Sequence, residues 1–134
     1  MTTDTDKTTD PNKTWCCYLR CYAEAESAEA AQPIVAQISA ILECFVTPTL
    51  KPIEQYWKIG EYQEVMFEWQ LDDVPESAHL AIRDALGPQW HEQHEADAVW
   101  DYRMHAPLAI SGVRWAQLEY FLCSAMVTNN DISN

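Results

Sequence analysis

The stretch Tyr62-Gln-Glu-Val-Met-Phe-Glu-Trp-Gln-Leu71 alternates apolar and polar residues along ten positions. Val65, Phe67 and Trp69 share one side of this alternation, and glutamates share the other. A period of two residues is typical of a β-strand with one buried face and one face near solvent. The stretch therefore predicts a half-buried strand.

The residues before this strand predict the other arm of a hairpin. Gly60 and Glu61 supply a turn, and residues 53–58 can form an extended arm in front of it. Two prolines, Pro48 and Pro52, exclude a central strand just upstream, because proline cannot donate a hydrogen bond within a sheet.

Two helices are predicted on either side of the hairpin. The apolar residues of the first recur at helical spacing at Ile34, Ile38, Ile41, Leu42 and Phe45. Its start is open between a cap at Ser27 and a regular beginning near Ala30. The second runs through Ala78, Ala81, Ile82, Ala85 and Leu86. Asp73 and Glu76 have the spacing of a capping box before it, and Gly87-Pro88 ends it.

Three further segments are interpreted as strands. Residues 15–23 and 98–104 are rich in aromatic and apolar residues, and residues 113–122 are compatible with either a strand or a helix. We favour a strand for residues 113–122, because the turn at Ser111-Gly112 would create a second hairpin. The resulting order, β-α-β-β-α-β-β, predicts an α+β fold of the ferredoxin-like split βαβ type, with both helices on one face of an antiparallel sheet and the other face open.

Length and composition are those of one domain. The chain has 134 residues, of which 48% are apolar, enough for a single core. Residues 1–13 contain no apolar residue after Met1 and are predicted to form a disordered tail. Residues 14–134 are predicted to form a single α+β domain.

Acidic residues dominate the charge, with 21 acidic against 8 basic residues and a net charge of −13. Such a chain is repelled by nucleic acid and by anionic membranes, so neither is an expected partner. The charge favours either solubility alone or a partner with a basic surface. The first residues resemble no signal peptide, and the five cysteines are odd in number, so we expect a cytoplasmic protein with reduced thiols.

Motifs for catalysis are weak. His91 and His94 could share a metal ion with His105 or Glu95, but solvated loop histidines are the more common explanation of this spacing. Cys16, Cys17 and Cys21 lack the spacing of zinc or redox motifs and are interpreted as apolar fillers. The sequence thus predicts no enzyme, no cofactor and no metal.

Acidic residues interleaved with aromatic residues are the composition of a protein interface. They cluster around the first hairpin, and later around Trp90, Trp100 and Tyr102 with their neighbouring carboxylates. We predict that the partner-binding residues are Tyr56, Trp57, Glu61, Tyr62, Glu64, Glu68, Asp72 and Asp73. For Trp69 and Trp100 a place in the core is the favoured alternative.

Two segments, Tyr56-Trp-Lys-Ile-Gly-Glu-Tyr62 and Gly112-Val-Arg-Trp-Ala-Gln-Leu-Glu119, resemble patterns in bacterial immunity proteins of contact-dependent growth inhibition and other polymorphic toxin systems. The resemblance implies a cytoplasmic protein that binds a cognate toxin domain and neutralises it by covering its active site. Such toxins are often basic nucleases, for which an acidic inhibitor is suited. Two alternatives remain: a small metal- or ligand-dependent enzyme on a ferredoxin-like scaffold, and a homodimeric interaction domain.

Overall fold

The computed structural model describes residues 14–123, in which the chain forms an α+β fold of seven strands and two helices. The predicted tail, residues 1–13, lies outside the described residues, as do residues 124–134. Neither helix of the described range is long and apolar enough to cross a membrane. The elements in chain order are β1 (Trp15–Glu24), α1 (Gln32–Leu42), β2 (Thr49–Leu50), β3 (Glu54–Gln55), β4 (Tyr62–Leu71), α2 (Glu76–Leu86), β5 (His91–His94), β6 (Asp97–Asp101) and β7 (Val113–Leu122).

The strands form one antiparallel sheet in the order β2-β4-β1-β7-β6-β5, with β3 also paired to β4. Strand β1 lies between the two other long strands. Leu19 in the middle of β1 is opposite Phe67 of β4 and opposite Leu118 of β7. All three side chains are almost completely buried, so the pairing of the three long strands also aligns the centre of the core.

Both helices pack on the same face of this sheet. Val35 and Ile38 of α1 and Ile82 and Leu86 of α2 are buried in one cluster with the inward side chains of β1, β4 and β7. Burying an aliphatic side chain of this size contributes about 1.5–3 kcal/mol relative to its exposed state. The other face of the sheet carries the alternate residues, most of them half-buried.

Several strand predictions hold and others are corrected. Strands β1 and β4 are confirmed, and residues 113–122 are a strand, preceded by Gly112 at a φ of 93°. The arm predicted at 53–58 is only β3, because Pro52 separates it from β2, which was not expected. Strand β5 was also missed, since its sequence is entirely polar and every residue is exposed at the sheet edge. The predicted order is therefore not confirmed, and the sheet is larger than expected.

Strand β6 and the ends of both helices also differ from the expectation. Strand β6 spans Asp97–Asp101, so it begins one residue before and ends three residues before the predicted 98–104. The capping box at Asp73 is wrong, because Pro75 occupies the cap of α2 and no side-chain hydrogen bond is made there. Helix α1 starts at Gln32, after Ser27 has accepted a hydrogen bond from the Ala30 N–H.

The cysteines divide into three kinds. Cys16 and Cys123 form a disulfide, with Cα atoms 5.3 Å apart, so the expectation of five reduced thiols is wrong for this pair. They meet because Cys16 is opposite Phe121 across β1 and β7, two residues from Cys123. Cys17 and Cys21 are buried fillers as predicted, and burial raises the pKa of each thiol to about 12. The remaining thiol, Cys44, is exposed, and Cys16 is disulfide-bonded rather than the apolar filler that was predicted.

His79 of α2 is buried between the helix and the sheet. Its ring makes an edge contact with Tyr120, with 5.2 Å between centroids, and Nε2 has no hydrogen-bond partner among the described residues. Burial is the main cause that lowers the pKa of His79 to about 4; the nearby charge of Arg83 also lowers it, while Glu92 and Asp97 each oppose the shift. His79 is therefore neutral in the folded protein at pH 7.

Reduction of the Cys16–Cys123 disulfide will destabilise the protein. A bond that spans 107 positions restricts the unfolded chain strongly, so its loss should lower the free energy of unfolding by about 2–5 kcal/mol. Urea unfolding of Cys123→Ser, and of the wild type in dithiothreitol, should show equal losses. Cys44→Ser is the control and should unfold as the wild type does; an unchanged wild type under reduction would contradict the bond.

Acidification will destabilise the fold through His79. Between pH 6.5 and pH 4 the unfolded chain binds a proton that the folded His79 does not, so stability falls as the pH is lowered through this window. The expected loss attributable to His79 is up to about 3 kcal/mol. The test compares the free energy of unfolding in urea at pH 7 and at pH 4.5. His79→Leu should lose less stability than the wild type on acidification, whereas His91→Gln, a change at an exposed histidine, should lose as much as the wild type. Identical losses for all three proteins would contradict the assignment.

Candidate functional site

The face of the sheet opposite the helices brings together many chemistry-bearing side chains of residues 14–123. Because side chains alternate along a strand, every second residue of β1, β4 and β7 lies on it. It combines aromatic, acidic and basic residues, most of them half-buried. From the three long strands these include Tyr18, Arg20, Tyr22, Glu64, Met66, Glu68, Trp115, Gln117 and Glu119. We refer to this surface as the open face.

Three aromatic rings form a continuous stack at one end of the open face. Tyr22 of β1 is opposite Trp115 of β7, and their rings stack with centroids 4.9 Å apart and an interplanar angle of 23°. Tyr56, which follows β3, stacks on Tyr22 at 4.1 Å and 20°. Each such pair contributes about 0.5–1.5 kcal/mol beyond its buried area, so the stack is a rigid feature of the surface.

A cleft of about 490 Å³ opens beside this stack, within the size range of ligand and peptide pockets. Two loops enclose it: the one between β3 and β4, and the one that follows β6. Burial raises the pKa of Tyr62 in the cleft wall, and the nearby Tyr102 raises it further. The lining residues are Tyr22, Tyr56, Ile59, Tyr62, Asp101, Tyr102, Arg103, Arg114 and Trp115. We call this the aromatic cleft.

The charged groups of the aromatic cleft neutralise one another. Arg103 donates two hydrogen bonds to Asp101, at 2.9 and 3.1 Å, which lower the pKa of that carboxyl. Arg114 donates to Glu24 and lies 4.9 Å from the centre of the Tyr102 ring. Because both guanidinium groups already have carboxylate partners, the cleft presents aromatic surface rather than unpaired positive charge.

Large apolar side chains surround the aromatic cleft. Trp57 is 82% exposed and Met104 is 71% exposed, and each adjoins a residue or loop segment that forms the cleft wall. These exposed side chains lie outside the core, and tryptophan and methionine are enriched at protein interfaces. The cleft and its rim therefore have the composition of a protein-binding hot spot.

The residues predicted to bind a partner are brought together only in part. Tyr56 and Tyr62 line the aromatic cleft, and Trp57 and Glu61 lie in the exposed loop between them. Aromatic surface from the first hairpin is thus concentrated at one end of the sheet.

The four remaining acidic residues of that prediction lie elsewhere. Glu64 and Glu68 are on the open face, where Glu64 pairs with Arg20 at 3.3 Å and Glu68 with Lys51 at 3.7 Å. Asp72 and Asp73 follow the far end of β4, about 30 Å along the strand from Tyr62.

Seven of the nine lining residues of the aromatic cleft were not among the partner-binding residues nominated from the sequence, and they include Tyr22, Arg114 and Trp115. Alternation along 15–23 places Tyr22 on the opposite side from Leu19, which was a signal for the open face. Nothing local indicates that β7 lies next to β1, so the Tyr22–Trp115 stack could not be predicted. Trp69 and Trp100 are buried in the core, as favoured.

The histidines do not assemble as the metal hypothesis required. His91 is exposed on β5. His105 lies in the segment that follows β6, where its Nδ1 accepts a hydrogen bond from the Asp101 N–H. His94 instead lies beside two carboxylates on the open face, with Nε2 3.8 Å from Asp97 Oδ2 and 4.0 Å from Glu119 Oε2. These three groups could hold a metal ion.

Comparisons with models of known protein families, with curated proteins and with solved structures find no match to this chain.

Proposed function

We propose that the protein is an inhibitor that binds a basic protein domain with the aromatic cleft and the adjoining open face. The observation that carries the proposal is the Tyr56–Tyr22–Trp115 stack beside a cleft whose rim exposes Trp57 and Met104. A binding partner would bury this apolar surface, which the fold itself leaves in contact with solvent.

The aromatic cleft has the anatomy of an interface core. Tryptophan, tyrosine and arginine account for most binding hot spots, and they act best where surrounding residues exclude water. The tyrosine and tryptophan rings of the stack are held by one another before a partner arrives, so little side-chain entropy is lost on binding. A loop or side chain that inserts into the cleft would contact the stack on one side and Tyr102 on the other.

Charge supports a basic partner. Residues 14–134 contain 18 acidic and 6 basic residues. Of the basic side chains in the described range, all except Lys58 are paired with carboxylates: Arg20, Lys51, Arg83, Arg103 and Arg114. The field around the molecule is therefore negative, which accelerates association with a positively charged domain at low salt.

The class of partner comes from the resemblance to bacterial immunity proteins. We propose that the partner is a toxin domain, that both meet in the cytoplasm, and that binding covers the toxin's active site. Because cytosolic thiols are kept reduced, this proposal requires the fold to persist there without the Cys16–Cys123 bond. A nuclease toxin fits best, because its substrate-binding surface is basic and would attract the acidic inhibitor.

We also propose that the sheet is an enlarged ferredoxin-like fold. Strands β2, β4, β1 and β7 are neighbours, as a split βαβ arrangement requires, and β5 and β6 extend the sheet beyond β7. The extension supports the binding proposal because Asp101, Tyr102 and Arg103, at the end of β6 and just beyond it, form one wall of the aromatic cleft.

Removing Trp57 and Tyr102 will weaken the complex without harming the fold. The tagged full chain is used to capture the partner from the native cells. The captured domain is then expressed alone to test its toxicity, and its affinity for the wild type and for each variant is measured by biolayer interferometry. We expect the captured domain to be basic and toxic alone, and each alanine variant to lose about 30-fold or more in affinity, equivalent to about 2 kcal/mol. Association should also slow as salt is raised.

Phe45→Ala is the matched control, because Phe45 is 42% exposed but lies after α1, away from the cleft. It should bind and protect cells as the wild type does, whereas the Trp57→Ala, Tyr102→Ala double variant should fail to protect. Full protection by the double variant would show that the aromatic cleft is not the binding surface. A captured domain that is harmless when expressed alone would contradict the proposal that the partner is a toxin.

A further inference from the structure

Two carboxylates oppose each other directly on the open face. Asp97 of β6 and Glu119 of β7 are cross-strand partners, and their side chains are only 8% and 24% exposed. Like charges at directly opposed positions of an antiparallel sheet destabilise it, and partial burial strengthens the repulsion. The pair is therefore unfavourable unless something positive lies between the two groups.

The described part of the chain supplies no lysine or arginine to this pair within 4.0 Å. By contrast, Glu24, Glu64 and Glu68 on the same face each have an arginine or lysine partner. Among the side chains of residues 14–123 that can carry positive charge, only His94, on the edge strand β5, lies within 4.0 Å of Asp97 and Glu119. The two carboxylates thus lack the compensation that other acidic side chains of this face receive.

Neighbouring side chains orient the carboxylates toward His94. Gln117 donates to Oδ1 of Asp97 at 3.0 Å, and the Tyr18 hydroxyl donates to Oε1 of Glu119. The second oxygen of each carboxylate is the one near His94 Nε2, at 3.8 Å for Asp97 and 4.0 Å for Glu119.

We propose that His94, Asp97 and Glu119 bind a divalent transition-metal ion of the zinc type. Ligand atoms bound tetrahedrally at about 2.1 Å lie about 3.4 Å from one another, so the two separations from His94 Nε2 need to contract by about half an ångström. All three ligand atoms lie within 4.8 Å of one another. One imidazole nitrogen with two carboxylate oxygens suits Zn²⁺, Co²⁺ or Mn²⁺. The ion supplies two positive charges to two carboxylates, and its fourth position is left for water or a partner's side chain.

Two features set the strength of this site. Gln117 and Tyr18 are outer partners of the kind that orient metal ligands and increase affinity. In the metal-free protein the Ala96 N–H donates to Nδ1 of His94 at 3.3 Å, which places the ring proton on Nε2. The ion requires that proton to move to Nδ1 and this long hydrogen bond to break, so we expect micromolar rather than tighter affinity.

Calorimetric titration of the oxidised full-length chain with Zn²⁺ tests the site. A Cys44→Ser background removes the exposed thiol as a competing ligand. We expect one ion per chain, a tetrahedral absorption spectrum with Co²⁺, and at least a tenfold loss of affinity in His94→Gln and in Glu119→Gln. His91→Gln is the matched control, because it removes an exposed histidine of the same strand, and it should bind as the background does.

The metal-free variants give a second measurement. Glu119→Gln keeps an oxygen for Tyr18 but removes the repulsion with Asp97, so without metal it should melt at a higher temperature than the background and no longer be stabilised by Zn²⁺. No binding at millimolar Zn²⁺, or equal loss in His91→Gln, would overturn the site. A different result would also overturn the metal site: a basic partner that binds metal-free Glu119→Gln more weakly than the background, while Zn²⁺ does not change the melting temperature of the background. In that case the group between the two carboxylates would be a cationic side chain of the partner and not a metal ion. The zinc titrations and the melting measurements need no partner, so their failure leaves the inhibitor proposal to its own test.

Discussion

Strand β1 pairs along its length with β4 on one side and β7 on the other, and both the core and the open face depend on this double pairing. Its alternation sends Leu19 toward the helices and Tyr18 and Tyr22 to the opposite face. A slip of one residue in either register would exchange the two sets of side chains. The buried centre of the sheet therefore also holds the aromatic stack and the carboxylate pair in position.

The open face contains several features that do little for stability. Ion pairs between half-exposed groups, such as Arg20 with Glu64, contribute about 0–1 kcal/mol each, so they arrange charge more than they support the fold. The opposition of Asp97 and Glu119 is unfavourable, and exposed Trp57 has no core to contact. Such features concentrated on one face are expected where a surface is shaped for binding.

The two proposed sites lie on the same face but use different chemistry. The aromatic cleft presents apolar rings whose nearby charges are already paired, whereas the cluster around His94 presents negative charge without a basic partner. They are about four residues apart along β6, from Asp97 to Asp101, which is about 13 Å. One partner domain could cover both, and a metal ion at His94 would then change the charge of the surface that it meets.

Alternation and helical spacing in the sequence were sufficient for β1, β4 and both helices, because these signals depend on residues close together in the chain. For β7 the pattern fitted a strand or a helix, and the turn at Ser111-Gly112 decided in favour of the strand. They also identified the acidic character and two residues of the cleft, Tyr56 and Tyr62. Polar β5 escaped detection, because an exposed edge strand buries no residues and leaves no periodic pattern. Only the tertiary structure joined Tyr22 to Trp115, Cys16 to Cys123 and His94 to Glu119. A period of two tells which face a residue occupies, but the neighbour and register of a strand are decided by contacts between distant segments that pack one shared core.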